Sequence, residues 1–306
     1  MTRRNGRLPK SPAVIISVFI IALAAIFILY EPNSAPHESP ASGSEAQGVL
    51  MSYFIDVGQG DCELVRIPRQ DGSCFNMLID SGEASRGDNV IDTLHELGVE
   101  KLDAVVVSHP HADHMGAMAA VIENFTIDAF YMPEVPEDQT PTTLAYERMI
   151  DALIEKEMKI HLIKAGDVIS GTDTAVINVL APNKGDRYEN MNNYSAVIKI
   201  TYGETSFIYM GDAETGNFEA AMDSGYNLDA DVLKVGHHGS GNATNKALLQ
   251  AVSPDIAVIS CGKGNDYGHP HKETLNLLKN NKVEVLRTDR LGTIVIESDG
   301  KNLITA

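Results

Sequence analysis

The sequence predicts an α/β (α+β) protein built as a four-layer αββα sandwich, two mixed sheets with helices outside, preceded by one N-terminal transmembrane helix. Three observations predict it. Strands and hairpins come first and then alternate with helices, and this pattern occurs twice. His and Asp residues stand directly after the ends of several apolar strands. An uncharged apolar run, residues 13–30, follows a basic N-terminus.

Residues 1–12 carry Arg3, Arg4, Arg7 and Lys10 and no acid. Residues 13–30 carry no charge and are apolar but for Ser17 and the terminal Tyr30, about 18 residues at roughly 1.5 Å each, enough to cross a thin bilayer. The positive flank keeps the N-terminus cytoplasmic and sends the rest outward. Residues 1–30 therefore read as a signal anchor. A cleaved secretory signal is the alternative, disfavoured by the length of the run and the lack of a small-x-small site. The expected location is a single-pass cell membrane protein with its catalytic domain extracytoplasmic, or a secreted protein if the signal is cleaved. Residues 31–48, rich in Pro, Ser, Ala and Gly, read as a disordered tether.

The folded domain is expected over 49–306. Strands are predicted at 50–57, 62–67, 75–80 and 103–107, with a helix at 89–97. The run Ala104-Val105-Val106-Val107 leads into Ser108-His109-Pro110-His111-Ala112-Asp113-His114-Met115-Gly116, and a helix is predicted from Met115 onward. Three imidazoles and a carboxylate within six residues suit a loop wrapped around an ion, because imidazole and carboxylate are ligands of Zn²⁺-type sites. Further helices are predicted at 144–157, 215–223, 245–251 and 271–280, and further strands at 129–131, 160–163, 175–180, 195–202, 206–210, 232–235, 256–260, 283–286 and 293–298.

The second half repeats the arrangement of strand followed by ligand. Phe207-Ile208-Tyr209-Met210 ends in Gly211-Asp212, and Val232-Leu233-Lys234-Val235 ends in Gly236-His237-His238-Gly239-Ser240. Together these residues complete two ion sites. His109 and His111 serve one ion, Asp113 and His114 the other; Asp212 bridges them, and His237 joins the second. Ligand distances of about 2.0–2.2 Å are expected, with the ions about 3.5–4 Å apart.

These segments resemble the metallo-β-lactamase superfamily of αββα hydrolases. The resemblance is to the branch that includes the hydrolase-like domain of ComEC/Rec2 competence proteins and the cell-surface phosphorylcholine esterases. It rests on Phe54–Asp61, Ile79-Asp80-Ser81-Gly82, the His109–His114 motif, Met210–Glu214, Leu233–Ser240 and Tyr267–His271, and so spans about residues 50–300. It implies a dinuclear hydrolase holding two divalent ions, Zn²⁺ or Mn²⁺. One feature departs from the superfamily's fullest pattern: the loop that often carries a third His for the first ion reads Asn190-Met191-Asn192-Asn193-Tyr194-Ser195. An Asn oxygen or water is expected to stand in, shifting preference toward harder ions.

Around the ligands, Asp80 is placed to orient an imidazole. Asp61 is either a turn cap or a similar support. His238 is expected to meet substrate or buttress His237, and Ser240 to donate to an oxyanion. The resemblance implies that the loop carrying Tyr267, His269 and His271 faces the site, with His269 stabilising the transition state or protonating the leaving group and Tyr267 contacting substrate. Asn193 and Ser195 are further candidates. Asp113 can also take up or orient the proton of an attacking metal-bound hydroxide. His161 and His95 read as scaffold and surface residues.

Composition narrows the function. From Glu31 onward, 20 basic residues face 42 acidic ones, a net of −22. That field disfavours tight non-specific nucleic-acid binding. Cys62, Cys74 and Cys261 form no disulfide framework. Neither a Gly-x-Ser-x-Gly elbow nor a Gly-x-x-x-x-Gly-Lys-Ser/Thr loop is present. The function that the resemblance implies is hydrolysis of a phosphodiester, either DNA or nucleotide or a cell-envelope phosphoester, outside the cytoplasmic membrane. The alternatives are lactone, thioester or β-lactam hydrolysis, or a non-catalytic metal-binding interaction domain.

Overall fold

Two sheets, one of eight strands and one of seven, carry the domain. The structure, a computed structural model, describes residues 48–305. The helix expected at 13–30 and nearly all of the 31–48 tether lie outside the described residues. Among the described residues, no helix is long and apolar enough to cross a membrane.

The first half of the chain runs β1 (Leu50–Phe54), β2 (Glu63–Pro68), β3 (Cys74–Ile79), α1 (Gly87–Glu96), β4 (Lys101–Val106), α2 (Ala112–Met115), α3 (Met118–Asn124), β5 (Thr126–Pro133), α4 (Leu144–Glu155) and β6 (Ile160–Ile163). The second half runs β7 (Val168–Ile169), β8 (Ala175–Ala181), β9 (Val197–Tyr202), β10 (Thr205–Tyr209), α5 (Thr215–Asp223), β11 (Val232–Lys234), α6 (Lys246–Val252), β12 (Ile256–Ile259), α7 (Lys272–Asn280), β13 (Glu284–Arg287) and α8 (Thr288–Leu291). The chain then returns to the first sheet with β14 (Ile294–Ser298) and β15 (Leu303–Thr305).

Both sheets are mixed, with antiparallel hairpins first and parallel crossover strands after. β1, β2 and β3 pair antiparallel, and β3, β4, β5 and β6 pair parallel. In the second sheet β7 to β10 are antiparallel and β10 to β13 parallel. Parallel strands end at a common edge, so the loops leaving β3, β4, β10 and β11 share the carboxyl edge where α/β folds place ligands.

Strand alternation assigns every apolar side chain to a layer. Ala104 and Val106 of β4, with Met77 and Ile79 of β3, point between the sheets, where they meet Phe207, Tyr209, Val232 and Val258. Their neighbours Leu78, Val105 and Val107 point outward onto Leu94, Met118, Val121 and Leu153 of α1, α3 and α4. On the far side Ile208, Met210, Leu233 and Ile259 lie under Phe218, Leu248, Val252 and Leu278 of α5, α6 and α7. Double-sided burial explains why these strands read as unbroken apolar runs. Between the sheets the Ser52 and Tyr209 hydroxyls share a hydrogen bond of 2.8 Å.

Local signals place two helix starts. Thr143 caps α4 by accepting from the Tyr146 amide, and Asn245 caps α6 by accepting from the Leu248 amide. Pairing of Glu63 with Ile79 and of Pro68 with Cys74 keeps Cys62 away from Cys74, as the expected turn requires, and all three cysteines are free. His161 lies exposed on β6 against Tyr131, and His95 is exposed on α1. β7, β15 and α8 went unpredicted because segments of two to four residues carry too few positions for a period to show.

Candidate metal centre

The first motif leaves β4 as a loop but turns helical earlier than predicted. Helix α2 begins at Ala112, with extended His111 as its N-cap, so Asp113 and His114 sit in its single turn. His109 and His111 thus project from the extended part and Asp113 and His114 from the helical part, dividing the motif into two pairs.

The Gly58-Gln59-Gly60-Asp61 turn docks on this motif. The Asp61 amide donates to the Asp113 carbonyl at 3.2 Å. Gly60, at φ +140°, has no room for a Cβ, which would collide with that same carbonyl oxygen. Asp56 caps the turn by accepting from the Gly58 amide at 3.0 Å.

Asp80 faces His114. Its Oδ2 is 2.7 Å from His114 Nδ1, while Ser108 donates to it through its amide at 2.7 Å and its hydroxyl at 2.6 Å. That carboxylate fixes the proton of His114 on Nδ1 and leaves Nε2 as the ligand atom.

Two groups of ligand atoms form around Asp212. One comprises His109, His111 and Asp212, the other Asp113, His114, Asp212 and His238, the atoms of each group lying within 4.8 Å of one another. Asp212 belongs to both. Its Oδ1 is 3.1 Å from His114 Nε2 and 3.5 Å from His238 Nε2, and its Oδ2 is 3.8 Å from His109 Nε2. Its backbone amide donates to the Ser195 hydroxyl at 3.1 Å, so Ser195 holds the bridging residue in place.

The donors test the fit to divalent ions. His114 Nε2 and Asp212 Oδ1 are sealed from solvent and neither has a hydrogen-bond partner. Buried polar atoms without partners are costly, and a cation between them would satisfy both. The residues fit a divalent ion.

Charge gives the same answer. Burial opposes a charge on His114, yet Asp212, Asp80 and Asp113 outweigh it and hold its pKa well above the usual imidazole range. Burial likewise opposes a charge on His238, but Asp212 and Asp61 push it up to about 10. Without an ion these two imidazoles carry the positive charge that the carboxylates demand, and an ion would displace their protons. His109 moves the other way, well below its ordinary value through burial and then His114, so it is neutral as a ligand must be.

The two adjacent histidines differ from expectation. The sequence predicts His237 as a ligand of the second ion and His238 as its support. The structure puts His238 in that group, with Nε2 3.2 Å from Asp113 Oδ2. Both residues are left-handed, at φ 47° and 52°, which turns their rings 70° apart. His237 faces Glu214, with Nδ1 3.0 Å from Oε1, and its Nε2 lies 3.7 Å from Asp212 Oδ2.

Three other candidates are placed differently. Asn193 turns away, its Oδ1 accepting from the Asn217 amide at 3.1 Å. Asn192 instead reaches the site: its amide donates to Glu214 at 3.0 Å and lies 3.3 Å from His237 Nδ1, and its buried Oδ1 has no partner. The Ser240 hydroxyl is spent on Asn242 Oδ1 at 2.7 Å, so it is not a free oxyanion donor.

The loop of His269 does face the cluster. Its ring centroid is 5.3 Å from that of His237 and 6.1 Å from that of His238, and its Nδ1 is buried without a partner. Burial, then the neighbouring imidazoles, press its pKa down to about 4. Tyr267, 68% exposed, stacks on His269 at 5.7 Å and forms the outer rim. His271 accepts from the Gly241 amide at 2.9 Å and ties this loop to the one carrying His238.

Sequence reasoning assigned no role to Lys234, Glu63 or Glu214, which stand behind or beside the ligands. A lysine inside the apolar strand Val232–Lys234 was the available signal.

Comparison with known proteins follows the same lines. The family description "Metallo-beta-lactamase superfamily" matches residues 55–263. The chain is 35% identical over 261 residues to ComE operon protein 3 of Bacillus subtilis, covering 79% of this chain and 32% of that protein. It is 29% identical over 278 residues to competence protein ComA of Neisseria gonorrhoeae, covering 90% and 34%. It is 27% identical over 252 residues to recombination protein 2 of Haemophilus influenzae, covering 78% and 28%. The chain spans about a third of the length of these curated relatives. Among solved structures, Igni18, a metallo hydrolase from the archaeon Ignicoccus hospitalis, shares the fold with a TM-score of 0.52 at 15% identity, covering 81% of this chain and 98% of that one.

Proposed function

We propose, on the premise that this chain belongs to the metallo-β-lactamase superfamily, in the branch of its ComEC/Rec2-like relatives, that it is a dinuclear hydrolase of phosphodiesters acting outside the cytoplasmic membrane. One observation carries the metal-dependent reading: two groups of ligand-type atoms converge on a shared Asp212, whose Oδ1 lies 3.1 Å from His114 Nε2 in a buried pair. The competence and recombination relatives favour DNA as the substrate class, and the apolar run at 13–30 favours a membrane tether.

His109, His111 and Asp212 would hold one Zn²⁺ or Mn²⁺ ion, and Asp113, His114, Asp212 and His238 the other. Such ions supply Lewis-acid polarisation of a phosphoryl oxygen and an activated water. The chain supplies the rest. Asp113, the most open of the carboxylates at 29% exposure, is placed to accept the proton of the attacking water. His269 and His237 line the open side, where a leaving group would depart. Tyr267 at the rim offers a flat face to substrate.

The test is a panel with the full-length protein and Mn²⁺ or Zn²⁺ in turn: bis-p-nitrophenyl phosphate, p-nitrophenylphosphorylcholine, single- and double-stranded DNA, a lactone and nitrocefin. Phosphodiester cleavage that vanishes in His114→Ala supports the proposal. Turnover of the lactone or nitrocefin alone would replace the substrate class, and failure to bind either metal would remove the enzyme reading.

A further inference from the structure

A lysine lies sealed between the sheets at the rear of the second ligand group. Lys234 is 1% exposed. It shares the face of β11 that carries Val232, the face turned toward the other sheet. Its ammonium donates to Asp61 Oδ2 at 2.5 Å and to the Val235 carbonyl at 3.0 Å.

Asp61, fully buried, stands behind two imidazoles at once. Its Oδ1 is 3.2 Å from His238 Nδ1, and its Oδ2 is 3.9 Å from His114 Nδ1. The His238 Nδ1–H points at the Ser260 carbonyl, 3.0 Å away, and leaves Asp61 Oδ1 beside the ring with no hydrogen bond of its own. Acceptors therefore face Nδ1 of both rings, and the Nε2 atoms face Asp113 and Asp212.

Asp61, Asp80 and His114 form a third group of ligand-type atoms on the rear side of His114. An unmatched acidic cluster there would compete for a divalent cation. The Lys234 ammonium supplies the positive charge in its place, tethered by the backbone. We infer that Lys234 and Asp61 are positioning residues for the second ion: Asp80 and the Ser260 carbonyl receive Nδ1 of His114 and His238, and the lysine pins the Asp61 carboxylate behind both rings, where its charge favours the orientation that presents Nε2 to the ion.

Glu63 does not compete for the lysine. Burial, and then the charge of Asp61, push its carboxyl well above the usual range, and the carboxylate in ion-pair contact with Lys234 is that of Asp61. The charge of Lys234 is answered by Asp61.

This inference rests on the metal-dependent reading but not on the substrate. Its test is metal titration of the full-length protein by competition with a chelator, with thermal melting in parallel. Lys234→Met keeps the length of the side chain and removes the charge. It is expected to leave the first ion within a few-fold of wild type and to weaken the second about 10–100-fold, the range for lost outer partners of metal ligands.

The same change strips buried Asp61 of its nearest counter-charge, so it also lowers the melting temperature. The double variant Asp61→Asn, Lys234→Met removes both charges and is expected to recover much of that temperature while the second ion stays weak. If Lys234→Met fails to fold, the double variant carries the test alone. A purely structural role predicts that affinity returns with stability, and that result overturns the proposal. So does wild-type affinity in either variant. A wild-type protein that binds no ion overturns the metal reading and this inference together.

Discussion

His114 Nε2 and Asp212 Oδ1 face each other across 3.1 Å of buried space, brought together from opposite sheets, and neither has a hydrogen bond. Zn²⁺ or Mn²⁺ should therefore bind the folded state and raise its melting temperature by mass action, about 2.7 kcal/mol at a hundredfold excess over Kd. A chelator should reverse the gain. In His114→Ala, which keeps the His109, His111 and Asp212 group, differential scanning fluorimetry should register a smaller shift with metal than in wild type.

His237 and His238 should separate cleanly. His238→Ala removes a member of the second group and should lower the bound-metal stoichiometry measured by mass spectrometry of the native protein. His237→Ala should leave stoichiometry intact while impairing turnover, because that ring lies on the open side beside His269. Loss of an ion in His237→Ala alone would return the second-ion role to His237.

Asp80→Asn retains the shape of the side chain but gives up the carboxylate that receives Ser108 and faces His114. Metal affinity should fall about 10–100-fold. Equal chelator-competition curves for variant and wild type would contradict the orienting role.

Gly60→Ala should be damaging at a position that bears no chemistry. The added Cβ meets the Asp113 carbonyl, and φ +140° is a region L-residues rarely adopt. A loss of at least about 1 kcal/mol in urea denaturation is expected, together with weaker metal binding. An unchanged midpoint would show that the turn and the motif are not in rigid contact.

Alkaline pH should destabilise the protein before it reaches the arginines. Burial, with the charge of Asp289, raises the Cys261 thiol to about 11 from 9.0, and burial raises Cys62 and Tyr209 further above their ordinary values. The unfolded chain then releases protons first. This stability is fully present below about pH 9 and is lost as pH climbs through the folded values. For Cys261 alone two pKa units amount to about 2–3 kcal/mol. Urea midpoints at pH 8 and 10.5 should differ, and Cys261→Ala should reduce the difference. A flat profile would remove this account.

The layered fold and most members of the two candidate ligand groups were legible in the sequence because both depend on local order. Apolar runs such as Ala104–Val107 are buried on two faces, and that burial writes itself into composition. His109, His111, Asp113, His114 and Asp212 stand at strand ends, where spacing alone suggests a ligand loop. The choice between His237 and His238 was not legible, since it depends on two consecutive left-handed residues and on which acid faces each ring. Asn192 and Asn193 are chemically identical, and only the turn of their short helix decides that one reaches Glu214 and the other Asn217. The pairing of Lys234 with Asp61 joins residues far apart in the chain, and no periodicity reports such a contact.

The ligands divide between the two sheets: His109, His111, Asp113 and His114 hang from the first, and Asp212 and His238 from the second. Bound ions would clasp one sheet to the other across about a hundred residues of chain, as a cross-link closing a long loop does. The separation of the sheets then acts as a calliper for the spacing of the ions. Core substitutions that thicken the layer between Met77 and Phe207 should be felt at the metals, far from any ligand.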